Sequence, residues 1–170
     1  MENSGTPPVH YAGFWIRCVA DLIDSTLLDI VAAVIELMAL GSVYWVSRLL
    51  GKSQLESSGS LLGGFDPFLL QAVFFGIRIV LSIGYYTWGH FRYGTTLGKK
   101  GFGIKVVSAN GFEPLSLKQS TVRTFGYAAS YLPMGAGFLM AAFHPEKKAL
   151  HDVIAHTVSI LKPKAQTQAG

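Results

Sequence analysis

Five charged side chains interrupt the apolar stretch GFWIRCVADLIDSTLLDIVAAVIELMAL, residues 13–40: Arg17, Asp21, Asp24, Asp29 and Glu36. On a helix, Arg17, Asp21 and Asp24 are spaced i, i+4, i+7 and fall on one stripe about 60° wide. Asp29 and Glu36 are seven apart and share a second stripe. Carboxylates grouped in this way can bind a cation or carry a proton, and a guanidinium beside them can gate either. The same residues can instead form a satisfied ion network that pins helix ends together, with Arg123 or the His151-Asp152 pair as further members.

The elements that must position these groups belong to a membrane protein. Half of the 170 residues are hydrophobic and 14% are charged, against roughly 25% charged in soluble domains. Residues 25–47 (Ser25 to Ser47) and 68–88 (Phe68 to Trp88) are each long enough to cross a bilayer of about 30 Å. Tyr44 and Trp45 close the first, and Tyr85, Tyr86 and Trp88 close the second, as aromatics do at a membrane interface. The apolar residues of the first segment contribute roughly −3 to −6 kcal/mol of insertion free energy. An ionised group at a helix centre costs about 2.5–3.5 kcal/mol or more. Asp29 and Glu36, both charged and facing lipid, would nearly cancel the gain, so they are protonated, paired or turned to a polar interior. Arg78, in FFGIRIVL of the second segment, lies at the depth of Glu36, about 15–17 Å from the start of its helix. The two are expected to pair directly. At the other end of the first helix, Arg17 is expected to pair with Asp21 and Asp24 with Arg123.

Other chemistry is poorly supported. The single cysteine, Cys18, excludes an intrachain disulfide. His151 and His156 are five apart, which is not the spacing of a helical zinc pair, and no metal site or cofactor is expected. GKKGFG has its glycines and lysines out of order for a phosphate-binding loop. No Ser-His-Asp order or activated cysteine suggests an enzyme. The basic residues are split among membrane-flanking segments, which argues against nucleic acid. Residues 1–12 lack a basic n-region and a short apolar core and read as a flexible lead-in rather than a cleaved signal.

The positive-inside rule orients the chain. Arg92, Lys99, Lys100, Lys105, Lys118 and Arg123 come after the second segment, and four more lysines lie from Lys147 onward. Both termini are therefore placed in the cytoplasm, with the loop between the two segments outside. Lys99 and Lys100 serve this topology or hold anionic lipid heads. The third apolar stretch, about Leu117 to Phe143, must then return to its own side. Pro133, Gly135 and Gly137 break it, and Ser116 with Gln119 forms a capping box at its start. A re-entrant or kinked hairpin is expected; one ordinary third crossing is the alternative. GIKVVSANGFEP carries β-branched residues and the Asn110-Gly111 hairpin signal. Thr157 to Leu161 is expected to pair with Ile104 to Val107. The fold class is an all-α membrane protein with a small cytoplasmic β-element, two full transmembrane helices and this broken third segment. Residues 13–161 form a single membrane domain, and 162–170 a flexible tail.

RCVADLID resembles the signature of the RDD family of small integral membrane proteins, with Arg17, Asp21 and Asp24 as the residues that name it. TLGKKGFGIKVVSANGFEPLSLKQSTVR and LPMGAGFLMAAFHPEKKALHDVIAHTVSI extend the likeness over about residues 11–161, with Leu150, His151, Asp152 and Thr157 in the usual places. One departure is His156, where the pattern has a glycine. The resemblance implies a multi-pass protein of a bacterial inner membrane. Some members of the family are linked to cation transport, including sodium–proton exchange. Cation or proton translocation through buried carboxylates is the leading expectation, with Na+ or H+ as the ion, the bilayer as the medium, and a second copy or another membrane protein completing the path. A non-catalytic scaffold that recruits partners is the alternative.

Overall fold

The computed structural model describes residues 9–49, 67–132 and 134–162. Expectations placed on the chain before residue 9, the loop 50–66, Pro133 and the tail beyond Lys162 lie outside the described residues. The chain divides into two compact units, Met1–Asp24 with Ile83–Gly170, and Ser25–Ser82.

Two long helices dominate. Helix α1 is Phe14–Leu49 and helix α2 is Pro67–Tyr93. The first carries Arg17, Asp21 and Asp24 on its opening turns, ahead of the membrane segment expected from Ser25. Proline at the first position of α2 gives up no helical hydrogen bond, and Gly94, with φ of 64°, ends it in a left-handed turn. The apolar parts span 33 and 26 residues, about 50 and 39 Å of helix, ample for a hydrocarbon core of about 30 Å. Only 6% and 0% of their most apolar windows are buried within the protein. A core helix of a soluble domain would be covered; these need an apolar solvent.

The first unit adds the short elements. Helix α3 (Leu97–Gly101) leads to strand β1 (Ile104–Ser108), and helix α4 (Leu117–Tyr131) is followed by α5 (Ala136–Phe143), α6 (Leu150–Ile154) and strand β2 (Thr157–Leu161). β1 and β2 pair antiparallel, Ile104 opposite Leu161 and Ser108 opposite Thr157, the pairing the β-branched runs suggest. Residues 10–12 join them: the Leu161 N–H donates to the His10 carbonyl (2.8 Å), and the Ala12 N–H to that of Ser159 (2.9 Å). This part of the expected lead-in is held by free backbone groups on the edge of β2. Asn110-Gly111 makes a turn, with Gly111 at φ 81°, but no hairpin. The Ser108 N–H donates to the Glu113 carbonyl at 2.9 Å, and the chain then enters α4 in place of a second strand.

The Ser116–Gln119 capping box opens α4, the Gln119 N–H donating to Ser116 Oγ (3.2 Å) and the Ser116 N–H to Gln119 Oε1 (3.1 Å). The apolar stretch breaks after Tyr131, where Met134 and Gly135 have φ of 52° and 82°. Small residues then let the helices touch. A Cβ on Gly137 of α5 would lie 2.6 Å from Ser130 Cα, and one on Gly126 of α4 would lie 3.1 Å from His151 Cα of α6. Backbone therefore packs on backbone around the polar residues of α4 and α6.

Candidate functional site

Asp152, in the short helix α6, is the hub of the first unit. Arg17 Nη2 donates to its Oδ2 and Arg123 Nη1 to its Oδ1. The Ala149 N–H also reaches Oδ2, at 2.9 Å, capping α6. Arg123 Nη1 donates to Thr157 Oγ1 (2.6 Å), and Arg17 Nη1 to the Lys147 carbonyl (2.8 Å). Arg123 and Asp152 are fully buried and Arg17 nearly so. Burial alone would raise the Asp152 carboxyl, but Arg123 and Arg17 together hold it well below the usual carboxylate range. The two other N–H positions of Arg123 have no acceptor among the described residues. Its guanidinium carbon instead lies 5.9 Å from the centre of the Tyr127 ring, a favourable place for a cation.

His151 completes this cluster in one protonation state. Arg17 Nη2 lies 3.1 Å from its Nε2. A guanidinium cannot accept, so Nε2 is the acceptor and the proton sits on Nδ1. Nδ1 then donates to Ser130 Oγ (3.1 Å), which donates onward to the Gly126 carbonyl (3.1 Å). Burial, with Arg123 and Arg17 outweighed only in part by Asp152, pulls the ring well below its ordinary value and keeps it neutral. The 3.9 Å approach of Nε2 to Asp152 is therefore not an ion pair.

Asp21 and Asp24 turn to the segment that comes after α2. Asp21 lies 2.8 Å from Lys99 Nζ, in ionic contact but off the hydrogen-bond direction, since the same carboxylate oxygen has no hydrogen-bond partner among the described residues. Lys99 is fully buried and donates to the Tyr127 hydroxyl at 2.9 Å. Desolvation works against its charge, yet Asp21 prevails and holds the ammonium above its ordinary value. Asp24 is fully buried too. Its Oδ1 accepts from the Gly98 N–H (2.7 Å) and the Tyr85 hydroxyl (2.5 Å), and its Oδ2 from the Thr96 hydroxyl. Thr96, at the N-cap of α3, makes no side-chain cap of its own, so Asp24 caps that helix from a distance. Gly98 is required there, because a side chain would collide with the Ala20 carbonyl oxygen.

The expected Arg17–Asp21 and Asp24–Arg123 pairs are thus replaced. A pair at i, i+4 is worth only a few tenths of a kcal/mol on a helix surface, whereas Asp152 without its two arginines would be a bare buried charge. Sequence reasoning missed Tyr85, Thr96, Gly98 and Lys99 as partners of these acids, and Tyr127 as the partner of Lys99. The one signal was the neighbourhood of three of them in TLGKKG. Lys99 is also unavailable to lipid.

A second cluster lies in the other unit. Arg78 Nε is 3.0 Å from Glu36 Oε1, and Arg78 Nη1 is 3.1 Å from Asp29 Oδ1. The Glu36–Arg78 pair is the one that equal depth suggests. Asp29 joins it, as its shared stripe with Glu36 allows. The Asp29 side chain is 65% exposed and that of Arg78 41%. Among the described residues no group of three or more His, Cys, Asp or Glu could hold a metal ion, and Arg78 is the one cation that touches both of these acids.

A model of the RDD family matches residues 11–156. The chain belongs to the RDD family. The match takes in every residue of both clusters except Thr157, and with the two uncovered apolar helices it identifies this RDD protein as a membrane protein. The chain is 34% identical over 152 residues to the uncharacterized protein YxaI of Bacillus subtilis (strain 168), covering 89% of this chain and 97% of that one. It is 34% identical over 100 residues to the uncharacterized protein RP437 of Rickettsia prowazekii (strain Madrid E), covering 58% of this chain and 56% of that one. No solved structure matches. His156, where the resemblance leads to the expectation of a glycine, adopts a left-handed φ of 52° just after α6, the conformation glycine takes at no steric cost.

Proposed function

We propose that this RDD protein moves a proton or a small monovalent cation across a bacterial inner membrane, and that Asp29, Glu36 and Arg78 are the groups that handle it. One observation carries the reading: two carboxylates converge on one guanidinium in helices whose apolar surface is uncovered. Fully ionised, the cluster carries one negative charge in excess, at a cost of about 2.5–3.5 kcal/mol or more in hydrocarbon. A proton or a sodium ion removes that charge, and exchange of one for the other is the elementary act of an antiporter. Exposure of Asp29 calls for a further surface to complete the path, which a second copy of the chain supplies. In this reading Arg17, Asp21 and Asp24 are the frame. The partners found among the described residues are groups of the protein itself, and they hold α1, α3 and α6 together on the side that the positive-inside rule favours as cytoplasmic.

The test is sodium-driven proton movement in proteoliposomes, read with an entrapped pH dye. Asp29→Asn with Glu36→Gln is expected to abolish it, and flux is compared at equal amounts of folded protein because Arg78 is left without a counter-ion. Flux that survives the double substitution rejects the carboxylate mechanism. A scaffold is the second reading, favoured by the contacts of Arg17, Asp21 and Asp24 with groups of the protein itself; absence of flux together with a stoichiometric copurifying protein would support it.

A further inference from the structure

A groove of about 790 Å³ runs along the last turns of α2, past the turn that ends it, to the end of β2. Its volume is that of a ligand site rather than of a surface wrinkle. Gly84 leaves its floor open: a Cβ there meets nothing within 4 Å. Trp88, Tyr93 and Leu97 form apolar walls and stand 59%, 64% and 63% exposed, so none of the described residues covers them. Lys100 and Lys162 reach the groove, and no acidic residue is among the described residues that line it. Neither lysine makes an ion pair with a described residue, in contrast to Lys99, which is buried against Asp21.

We propose that this groove is a binding site for one anionic phospholipid of the surrounding bilayer. An acyl chain lies over Gly84 against Trp88 and Leu97, and the phosphate sits between Lys100 and Lys162. Three features select this occupant. The groove closes the apolar span that ends at Tyr93, where tryptophan and tyrosine mark the headgroup level. Its body is apolar and its polar end is purely cationic, the complement of an anionic amphiphile. Finally, the cationic pair is built from residues 62 positions apart in the chain, so folding creates it; adjacent Lys99 and Lys100 do not. Two lysines near an anionic headgroup amount to roughly a 30-fold preference over a zwitterionic one.

The inference rests on the membrane placement of α2 and not on ion movement, so a protein without flux leaves it standing. Trp15→Phe with Trp45→Phe leaves Trp88 as the single tryptophan. In proteoliposomes, quenching of Trp88 by brominated phosphatidylglycerol in a phosphatidylcholine background is expected to saturate at a mole fraction about 30-fold lower than quenching by brominated phosphatidylcholine in the reverse mixture. Lys100→Gln with Lys162→Gln should make the two lipids equivalent. Gly84→Leu places a side chain on the floor, where a Cβ meets nothing within 4 Å, and should remove the selective quenching while the helical circular dichroism stays unchanged. Equal quenching by both lipids in the parent protein overturns the site. So does a preference that survives both substitutions. No quenching by either lipid overturns it together with the membrane placement.

Discussion

Replacing Asp152 by asparagine removes one charge and almost no volume, and it isolates what two buried arginines share. The asparagine oxygen still accepts the Ala149 N–H, so the cap on α6 is kept. Arg17 and Arg123, 4% and 0% exposed, lose the one carboxylate they both touch. Breaking a buried ion pair from one side costs about 3–5 kcal/mol, a large part of the ~5–15 kcal/mol that stabilises a typical domain. For a chain of this length each kcal/mol moves the melting midpoint by about 2–4 °C, so Asp152→Asn should melt about 6–20 °C below the parent in mild detergent. A double-mutant cycle assigns the loss: Arg123 and Asp152 should couple strongly, and Arg123 and Asp24, which share no contact, should couple near zero. An Asp152→Asn protein that melts within about 2 °C of the parent, or an Arg123–Asp24 coupling as large as that of Arg123–Asp152, would refute the assignment of Asp152 as the hub.

The same cluster and its exit give two further outcomes. The folded protein holds His151 neutral, with its proton affinity well below the ordinary value, whereas the unfolded chain takes up a proton near pH 6.5. The stability this group contributes is complete above about pH 6.5 and declines as pH falls below it, by up to about 1.4 kcal/mol per pH unit. Asp152, also depressed, adds a loss only below about pH 4. Thermal melts across pH 5–7.5 should show a shallower decline for His151→Gln than for the parent, and equal slopes would contradict a neutral buried ring. His156→Gly should raise stability by about 1 kcal/mol by relieving the left-handed backbone, while His156→Ala should bring no such gain in the same denaturation assay.

Local features were the legible ones. Hydrophobic runs mark α1 and α2, Ser116 and Gln119 mark the start of α4, and the two β-branched runs mark the strand pair, because each depends on neighbouring residues or on a pattern shared by two short segments. Glu36–Arg78 was also within reach, because helices of known rise turn residue counts into depth. The hub was not. Arg17 has an acid four residues away, and spacing alone points there; its partner is 135 residues distant and is chosen by burial, which a sequence does not display. Lys99 failed for the same reason. Beside Lys100 it looks like one of two equivalent surface cations, and only the path of α3 across α1 separates a buried ion from an exposed one. Asn110-Gly111 announces a turn correctly, but a turn becomes a hairpin only where the returning chain can go on pairing with the strand it has left, and here Glu113 accepts one bond from Ser108 before Pro114, which has no N–H to give, and the Ser116 cap lead the chain into α4.

The clasp of Arg17 and Arg123 on Asp152 also sets an order of events during synthesis. Arg17 leaves the ribosome when most of the chain, its counterion included, has yet to be made. Until α6 emerges, two cations destined for burial stay hydrated, and the ends of α1 and α4 have no electrostatic reason to approach. Closing so long a loop is entropically costly, so the clasp on Asp152 forms only once α6 has been made, and it joins the first helix to one of the last elements in the chain.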